Sequence, residues 1–294
     1  MSKLFSPSPP FSERQLVLPD LWAASRQIGL AIAFLLLLSV PHAQAQIQVT
    51  SERVMLSEAS PGETIEGTID LYNETDERHE AKVYMRDYLF HADGRNQMPS
   101  PGTFPRSLAP WTTLETDIVA VSPGETYPFR YRIRVPSTPD SLDGSYWTVV
   151  MVEPILKGSA ESSLGPRDAQ SPGVQVTQRF RYGIQLVTHI NDTGEKKLTI
   201  PSAELVQTEE GARLDVVYQN TGTRAFQPKM WLEIYDAAGT QVETIEGLSP
   251  VLYPGASAKN QLGLPNLEAG PYTALVIFDG GPDALFGAQV DFEL

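Results

Sequence analysis

Outside the first 46 residues the chain has three histidines, His79, His91 and His189, and none lies at ligand spacing from another. They read as solvent-exposed turn and strand-end imidazoles. The run "DLYNETDE", Asp70–Glu77, gathers four carboxylates that could hold Ca²⁺. It lacks the Asp-x-Asp-x-Asp-Gly spacing that orders oxygen ligands, so a solvated turn is expected there. Arg130, Arg132 and Arg134 alternate along one stretch and could form an anion site; such a stripe is more simply the wet face of a strand, paired across to carboxylates. There is no Gly-x-Ser-x-Gly, no His-Glu-x-x-His and no phosphate loop. No catalytic residue, metal or cofactor is assigned, and the chain reads as a non-enzyme.

The chain contains no cysteine. That excludes disulfides, a thiolate metal site, a catalytic thiol and a lipoprotein anchor. The stretch "RQIGLAIAFLLLLSVPHAQAQ" has the three parts of a secretory signal: the positive flank of Arg26, an apolar run from Ile28 to Val40, and the small-x-small pair Ala43 and Ala45. The apolar run is shorter than the roughly 20 residues a spanning helix needs. Residues 1–45 are therefore expected to be a signal peptide, with Gln46 the first mature residue. The part before Arg26 is long for such a signal, which leaves an uncleaved anchor or a start codon placed too early as alternatives. Losing Lys3, Arg14 and Arg26 with Glu13 and Asp20 takes the formal charge from −14 to −15. Charge of that sign repels phosphate backbones and anionic headgroups, so neither nucleic acid nor a membrane surface is expected as a partner. No second apolar segment long enough to span and no sorting tail is visible, so no membrane insertion is expected after cleavage. A periplasmic location is expected, with the cell surface or the medium as alternatives.

From Ile47 onward apolar and polar residues alternate over five to ten positions between Pro, Gly, Asn and Asp, the pattern of half-buried antiparallel strands. In "YPFRYRIRV" Phe129, Tyr131, Ile133 and Val135 share one face and the three arginines the other. Strands are expected at 48–56, 64–72, 80–89, 114–121, 126–135 and 145–153. The small polar stretch 157–173 reads as a mobile loop. After it comes the longest strand candidate, Val174–Ile190, with Val174, Val176, Phe180, Tyr182, Ile184, Leu186 and Ile190 on one face. Its length exceeds that of an ordinary strand, so part of it is expected to lack a permanent neighbour. A second set follows at 198–205, 213–219, 229–235, 241–245, 257–264, 272–278 and 288–294. About seven short strands per domain are what an immunoglobulin-like sandwich needs. The fold class is all-β: two immunoglobulin-like β-sandwich domains, 46–190 and 191–294, after the signal.

The pentapeptide "SPGET" stands at Ser60–Thr64 and again at Ser122–Thr126, each time ahead of a strand. Pro-Gly supplies a fixed φ followed by a free one, the chemistry of a tight turn, and Pro254-Gly255 repeats it in the second half. These are turn signals within a sandwich.

The ordered segments "RVML…SPGETIEGTIDLYNETDERHEAKVYMRDY", "RSLAPWTTLETDIVAVSPGETYPFRYRIRVPS", "GSYWTVVMVEP" and "QRFRYGIQLVTHI" resemble the periplasmic pilus chaperones, the PapD-like fold, over roughly 47–190. The resemblance implies a client captured by strand addition, with Val174, Val176, Phe180, Tyr182 and Ile184 as the donor strand. It implies two basic residues that hold the client's terminal carboxylate. Arg53 matches the first; at the second position, a lysine in the family, this chain has Gly183, and Arg181 is the candidate substitute. The implied partner is an exported pilus- or surface-type subunit, with possible self-association through the same edge strand. The alternative is a structural or adhesive surface or envelope protein built of spacer modules. Surface proteins of two such sandwiches share this layout, and the second domain itself resembles generic immunoglobulin-like modules.

Overall fold

The computed structural model describes residues 47–137, 142–164, 180–209, 211–265 and 267–294. The expected signal peptide, Val174, Val176 and the second half of the polar loop lie outside the described residues.

Eleven strands build the first sandwich region: β1 (Gln48–Val49), β2 (Val54–Ala59), β3 (Thr64–Tyr72), β4 (His79–Arg86), β5 (Leu89–Phe90), β6 (Asn96–Gln97), β7 (Thr112–Leu114), β8 (Ile118–Val121), β9 (Thr126–Arg134), β10 (Ser145–Ile155) and β11 (Tyr182–Ile190). They form a four-stranded sheet, β1-β3-β9-β7, facing a five-stranded one, β2-β11-β10-β4-β8, with β5-β6 as a separate hairpin. Between the two sheets the inward faces bury one core, including Ile69, Leu71, Val83, Phe129, Ile133, Val150, Ile184 and Leu186. The second sandwich has a three-stranded sheet, β12 (Leu198–Thr208), β13 (Gly211–Asn220) and β16 (Ser257–Gly263), and a four-stranded one ordered β15 (Gln241–Gly247), β14 (Lys229–Asp236), β17 (Pro271–Asp279), β18 (Leu285–Glu293). Its core centres on Leu214, Val216, Tyr218, Leu232, Ile234, Val276 and Phe278.

Two stretches expected as single strands are each divided between the two sheets. In 48–56, β1 pairs with β3 while β2 runs parallel to β11. Ser51 marks the crossing, because its hydroxyl accepts the Asp70 N–H that a continuing strand would have bonded. In 114–121, β7 pairs with β9 and β8 with β4, and the change comes at Thr116, whose hydroxyl bonds both to the Ile118 carbonyl and from the Ile118 N–H. Alternation in sequence reports a half-buried surface, not which sheet supplies it.

The Pro-Gly turns have a structural counterpart that sequence similarity did not mark. Asn73 is buried, and its amide donates to the carbonyls of Glu77 and Val121 at 2.7 and 3.0 Å. Its backbone accepts from Gly124 N and donates to Glu125 O. Asn220 does the same in the second sandwich, donating to Arg224 and Leu252 at 2.9 and 2.8 Å, while its backbone bonds Gly255 N and Ala256 O. Gly124 and Gly255 stand at φ 67° and 85°, left-handed conformations that favour glycine. The second SPGET and "YPGAS" are thus equivalent corners of two similar sandwiches.

A third apolar cluster joins the sandwiches: Trp147 and Val187 from the first, Ala225, Val251, Tyr253 and Ala256 from the second, with Tyr88, Leu89 and Phe90 packed against it. Strand β11 is therefore buried on both faces, with Ile184 and Leu186 in the first core and Val187 in the junction.

Candidate interaction edge

Strand β11 has two neighbours along only part of its length. On one side β10 pairs with it from Ser145↔His189 to Val152↔Tyr182. On the other, β2 joins only from Val54↔Gln185 onward, after the Arg53 carbonyl accepts the Gln185 N–H at 2.8 Å. Among the described residues, Tyr182, Gly183 and Ile184 thus have a sheet neighbour on one side only. Strand β10 itself runs on through Glu153, Pro154 and Ile155, where it pairs with β4 alone. The result, among the described residues, is a step of unpaired sheet edge at the end of β11 where the chain enters it.

Of the sequence-predicted residues, Phe180 lies just before the strand and is 36% exposed. Tyr182 is half-buried and packs against the first core. Burial raises its phenol above the ordinary value, a rise that nearby Arg53 opposes and Glu74 reinforces. Ile184 is only 1% exposed and belongs to the core itself. Its side chain is already occupied, which removes it from the set free to fill a client groove: in an unbroken strand alternate residues face the same way, and here that way is inward.

The two basic residues part company. Arg53 is exposed and makes no ion pair among the described residues, while Arg181 is bound to Glu153 at 2.8 Å. Glu153 also accepts from the Tyr84 hydroxyl at 3.1 Å. Arg181 is thus committed within the chain rather than held ready for an external carboxylate. Gly183 has a packing reason to be glycine, since a Cβ there would come within 3.1 Å of Val149 Cγ1.

The polar loop after β10 is tied down along its described part. Buried Glu80 accepts from the Ser162 hydroxyl at 2.8 Å, from the Ser163 N–H at 3.0 Å and from the Ser163 hydroxyl. Burial alone would raise this carboxyl; the hydroxyls and the backbone N–H groups of Ser163 and Leu164 outweigh it and hold the group below its ordinary value. Lys157–Glu77 and Lys82–Glu161 add exposed ion pairs. No sequence signal distinguishes Glu80 from the solvated carboxylates around it.

Elsewhere the arginine ladder behaves as a wet face: Arg132 pairs with Glu66 at 2.7 Å and Arg130 with Glu115 at 3.8 Å. Among the described residues no group of three His, Asp or Glu side chains could hold a metal ion, and no helix is long and apolar enough to cross a membrane. The histidine expectation needs correction. His91 lies in the β5–β6 turn beside Gln97, but His79 is buried and His189 half-buried, because the strands that carry them are covered on both sides.

His189 sits where β11 meets the second sandwich. Ala225 N–H donates to Ser145 Oγ at 2.7 Å, and the same hydroxyl is hydrogen-bonded to His189 Nδ1 at 2.7 Å. Burial, with Arg224 and Lys196 adding to it, pushes the imidazole down from 6.5 to about 4. Between those values the unfolded chain binds a proton that the folded chain refuses, so stability is expected to fall as pH drops from 6.5 to about 4. The ring is partly open to solvent, which reduces the effect to about 1–2 kcal/mol. Chemical denaturation across this range should show that slope, and His189→Gln should flatten it.

No family model matches the chain, and no curated protein matches it. Among solved structures, a chaperone–tip adhesin complex of CFA/I fimbriae biogenesis overlaps with 83% of this chain and 98% of its own, at TM-score 0.43 and 10% identity. The Pseudomonas aeruginosa CupB2 chaperone overlaps with 84% and 100%, at 0.36 and 14%. A human CEP192 PapD-like domain overlaps with 62% and 97%, at 0.33 and 12%. Pilus chaperones recur among these likenesses. Similarity this slight carries no weight for function, and the assignment of two immunoglobulin-like sandwiches rests on the strand order and cores described above.

Proposed function

We propose that this chain is an exported, non-enzymatic protein-binding factor that takes a client strand onto the open end of β11, in the manner of a pilus chaperone. The observation that carries this reading is the one-sided pairing of Tyr182–Ile184 beside exposed Phe180. A client strand added there gains backbone hydrogen bonds from an edge already in strand geometry, and apolar contact with Phe180 and Tyr182 selects among clients. Arg53 is the cation left to meet a client carboxylate. Arg181 could do so only by giving up Glu153. In this reading the residues before Phe180, Val174 and Val176 among them, extend the same edge.

The test is a pull-down of the tagged protein from its native periplasm, with the co-purifying protein identified by mass spectrometry. One exported, β-rich partner in near-equal amount is expected. Phe180→Asp and Tyr182→Asp are expected to weaken its capture at least about tenfold, roughly the contribution of one buried aromatic anchor, with cooperative unfolding retained. Capture unchanged in both variants would rule out the edge. Isolation of the protein alone, in the envelope fraction, would favour the spacer-module alternative.

A further inference from the structure

The described sheets of the two sandwiches end in several edge strands; most are short or interrupted, and β16, seven residues in unbroken register, carries Lys259. Strand β1 has two residues, β7 three, β8 four and β2 six. Strand β12 contains Pro201 and a register shift between Thr199 and Ser202. Strand β15 carries Glu243 and Glu246 and has a shift opposite Ile234 and Tyr235. These are the devices by which natural sheets discourage edge-to-edge pairing. Strand β18 has nine residues, no proline, no lysine or arginine, and an unbroken register from Pro271↔Glu293 to Asp279↔Leu285; its charges are Asp291 and Glu293, towards one end.

Which of its backbone groups point outward follows from its single partner. Gly270 and Leu294 exchange both bonds at 3.0 and 3.1 Å, and Gly280 donates to Ala284 at 2.8 Å. Leu294 and Ala284 thus face β17, and since backbone groups alternate sides along a strand, so do the even-numbered residues between them. Leu285, Gly287, Gln289, Asp291 and Glu293 therefore aim their N–H and C=O groups away from β17, and no described backbone group bonds them. All five residues are also exposed, Leu285 at 70%.

We propose that β18 pairs with β18 of a second copy of this chain, antiparallel about a two-fold axis at Gln289, joining the two four-stranded sheets into one. The register is self-complementary. Gln289 lies opposite Gln289 of the partner subunit as a hydrogen-bonded pair, Asp291 falls opposite a glycine and Glu293 opposite a leucine, so no carboxylate faces another. Inward of these, the half-buried Phe286 and Phe292 become cross-strand neighbours across the axis, an aromatic pairing that favours association. Asp291 is already held by Thr273 at 2.8 Å and Gln289 at 3.1 Å, which keeps it on its own side. A closed two-fold contact of this kind uses up both edges and stops at the dimer. This edge belongs to the other sandwich from the one proposed for clients, so the two bindings are independent.

Sedimentation velocity of the purified full protein between about 5 and 200 µM, the range for a contact this small, should show a concentration-dependent dimer. Both copies are strongly acidic, so raising salt from about 0.05 to 0.5 M should tighten it several-fold. Gln289→Lys sets two like charges opposite each other at the axis and should weaken the dimer at least about tenfold. Gln289→Pro removes an N–H that faces solvent in the monomer, where edge strands tolerate proline, and should do the same. Unfolding midpoints near wild type would show that Gln289→Lys leaves the fold intact. Phe180→Asp should leave the dimer unchanged. A protein that stays monomeric at 200 µM, or a dimer that survives both Gln289 variants, or one lost on Phe180→Asp instead, overturns the proposal.

Discussion

Ile184→Asp is expected to unfold the first sandwich, while Phe180→Asp four residues earlier leaves it intact. The difference is one of cover: Phe180 lies just before β11 begins and is exposed, whereas Ile184 lies within the strand and under the facing sheet. Ile184 is wholly buried between the two sheets and surrounded by Val150, Leu186 and other apolar neighbours. A carboxylate there finds no cation and no donor to replace its water, and an uncompensated buried charge costs about 3–5 kcal/mol. That is a large part of the roughly 5–15 kcal/mol that holds a domain of this kind together. Circular dichroism and urea unfolding of the two variants would check it. A cooperative, near-wild-type transition in Ile184→Asp would mean that this part of β11 is not packed as described, and the donor role first read for Ile184 would be open again. Loss of client binding in Ile184→Asp, by contrast, would say nothing about the edge, which is why Phe180 and Tyr182 carry that test.

Much of the first sandwich was legible because its strands alternate. Phe129, Tyr131 and Ile133 point inward as the period predicted, and β3 runs from Thr64 to Tyr72 as read. What alternation cannot carry is the identity of the neighbour. Ser51 and Thr116 look like ordinary polar positions in a strand, yet each is where the chain leaves one sheet for the other. Strand β11 shows the same limit from the other side. Its period put Ile184 and Leu186 on one face correctly, but it did not reveal that this face is the domain's own core, or that Val187 on the opposite face is buried as well. A strand covered on both faces no longer distinguishes inside from outside by polarity. The exchange of Arg181 with Glu153 and the anchoring of Ser162 and Ser163 by Glu80 join residues 28 and more than 80 positions apart, and no local pattern announces them. Arg53 was legible only through the resemblance, and its lack of an ion pair among the described residues only through the structure.

Trp147→Ala should separate the unfolding of the two sandwiches. The indole stacks on Tyr253 with centroids 4.8 Å apart and planes 9° from parallel, and its Nε1 donates to the Tyr88 carbonyl at 2.6 Å. The Tyr253 hydroxyl in turn reaches the Gln185 side chain on β11, and Tyr88 and Phe90 meet its ring edge-on. One side chain thus ties β10, the β5–β6 hairpin and the second sandwich together. Truncating it deletes the stack, leaves the Tyr88 carbonyl without its donor and opens a cavity in the junction, a loss of about 3–5 kcal/mol. Most of that loss falls on the contact between sandwiches, because the first and second cores do not include Trp147. Calorimetry is therefore expected to change from one transition to two. Trp147→Phe keeps the stacking but loses the indole N–H, and should cost about 1–2 kcal/mol with the single transition retained. If Trp147→Ala lowers the midpoint of one undivided transition, the coupling runs instead through the polar contacts at Ser145, His189 and Arg224. The low-pH slope assigned to His189 would then report the linkage between the sandwiches directly.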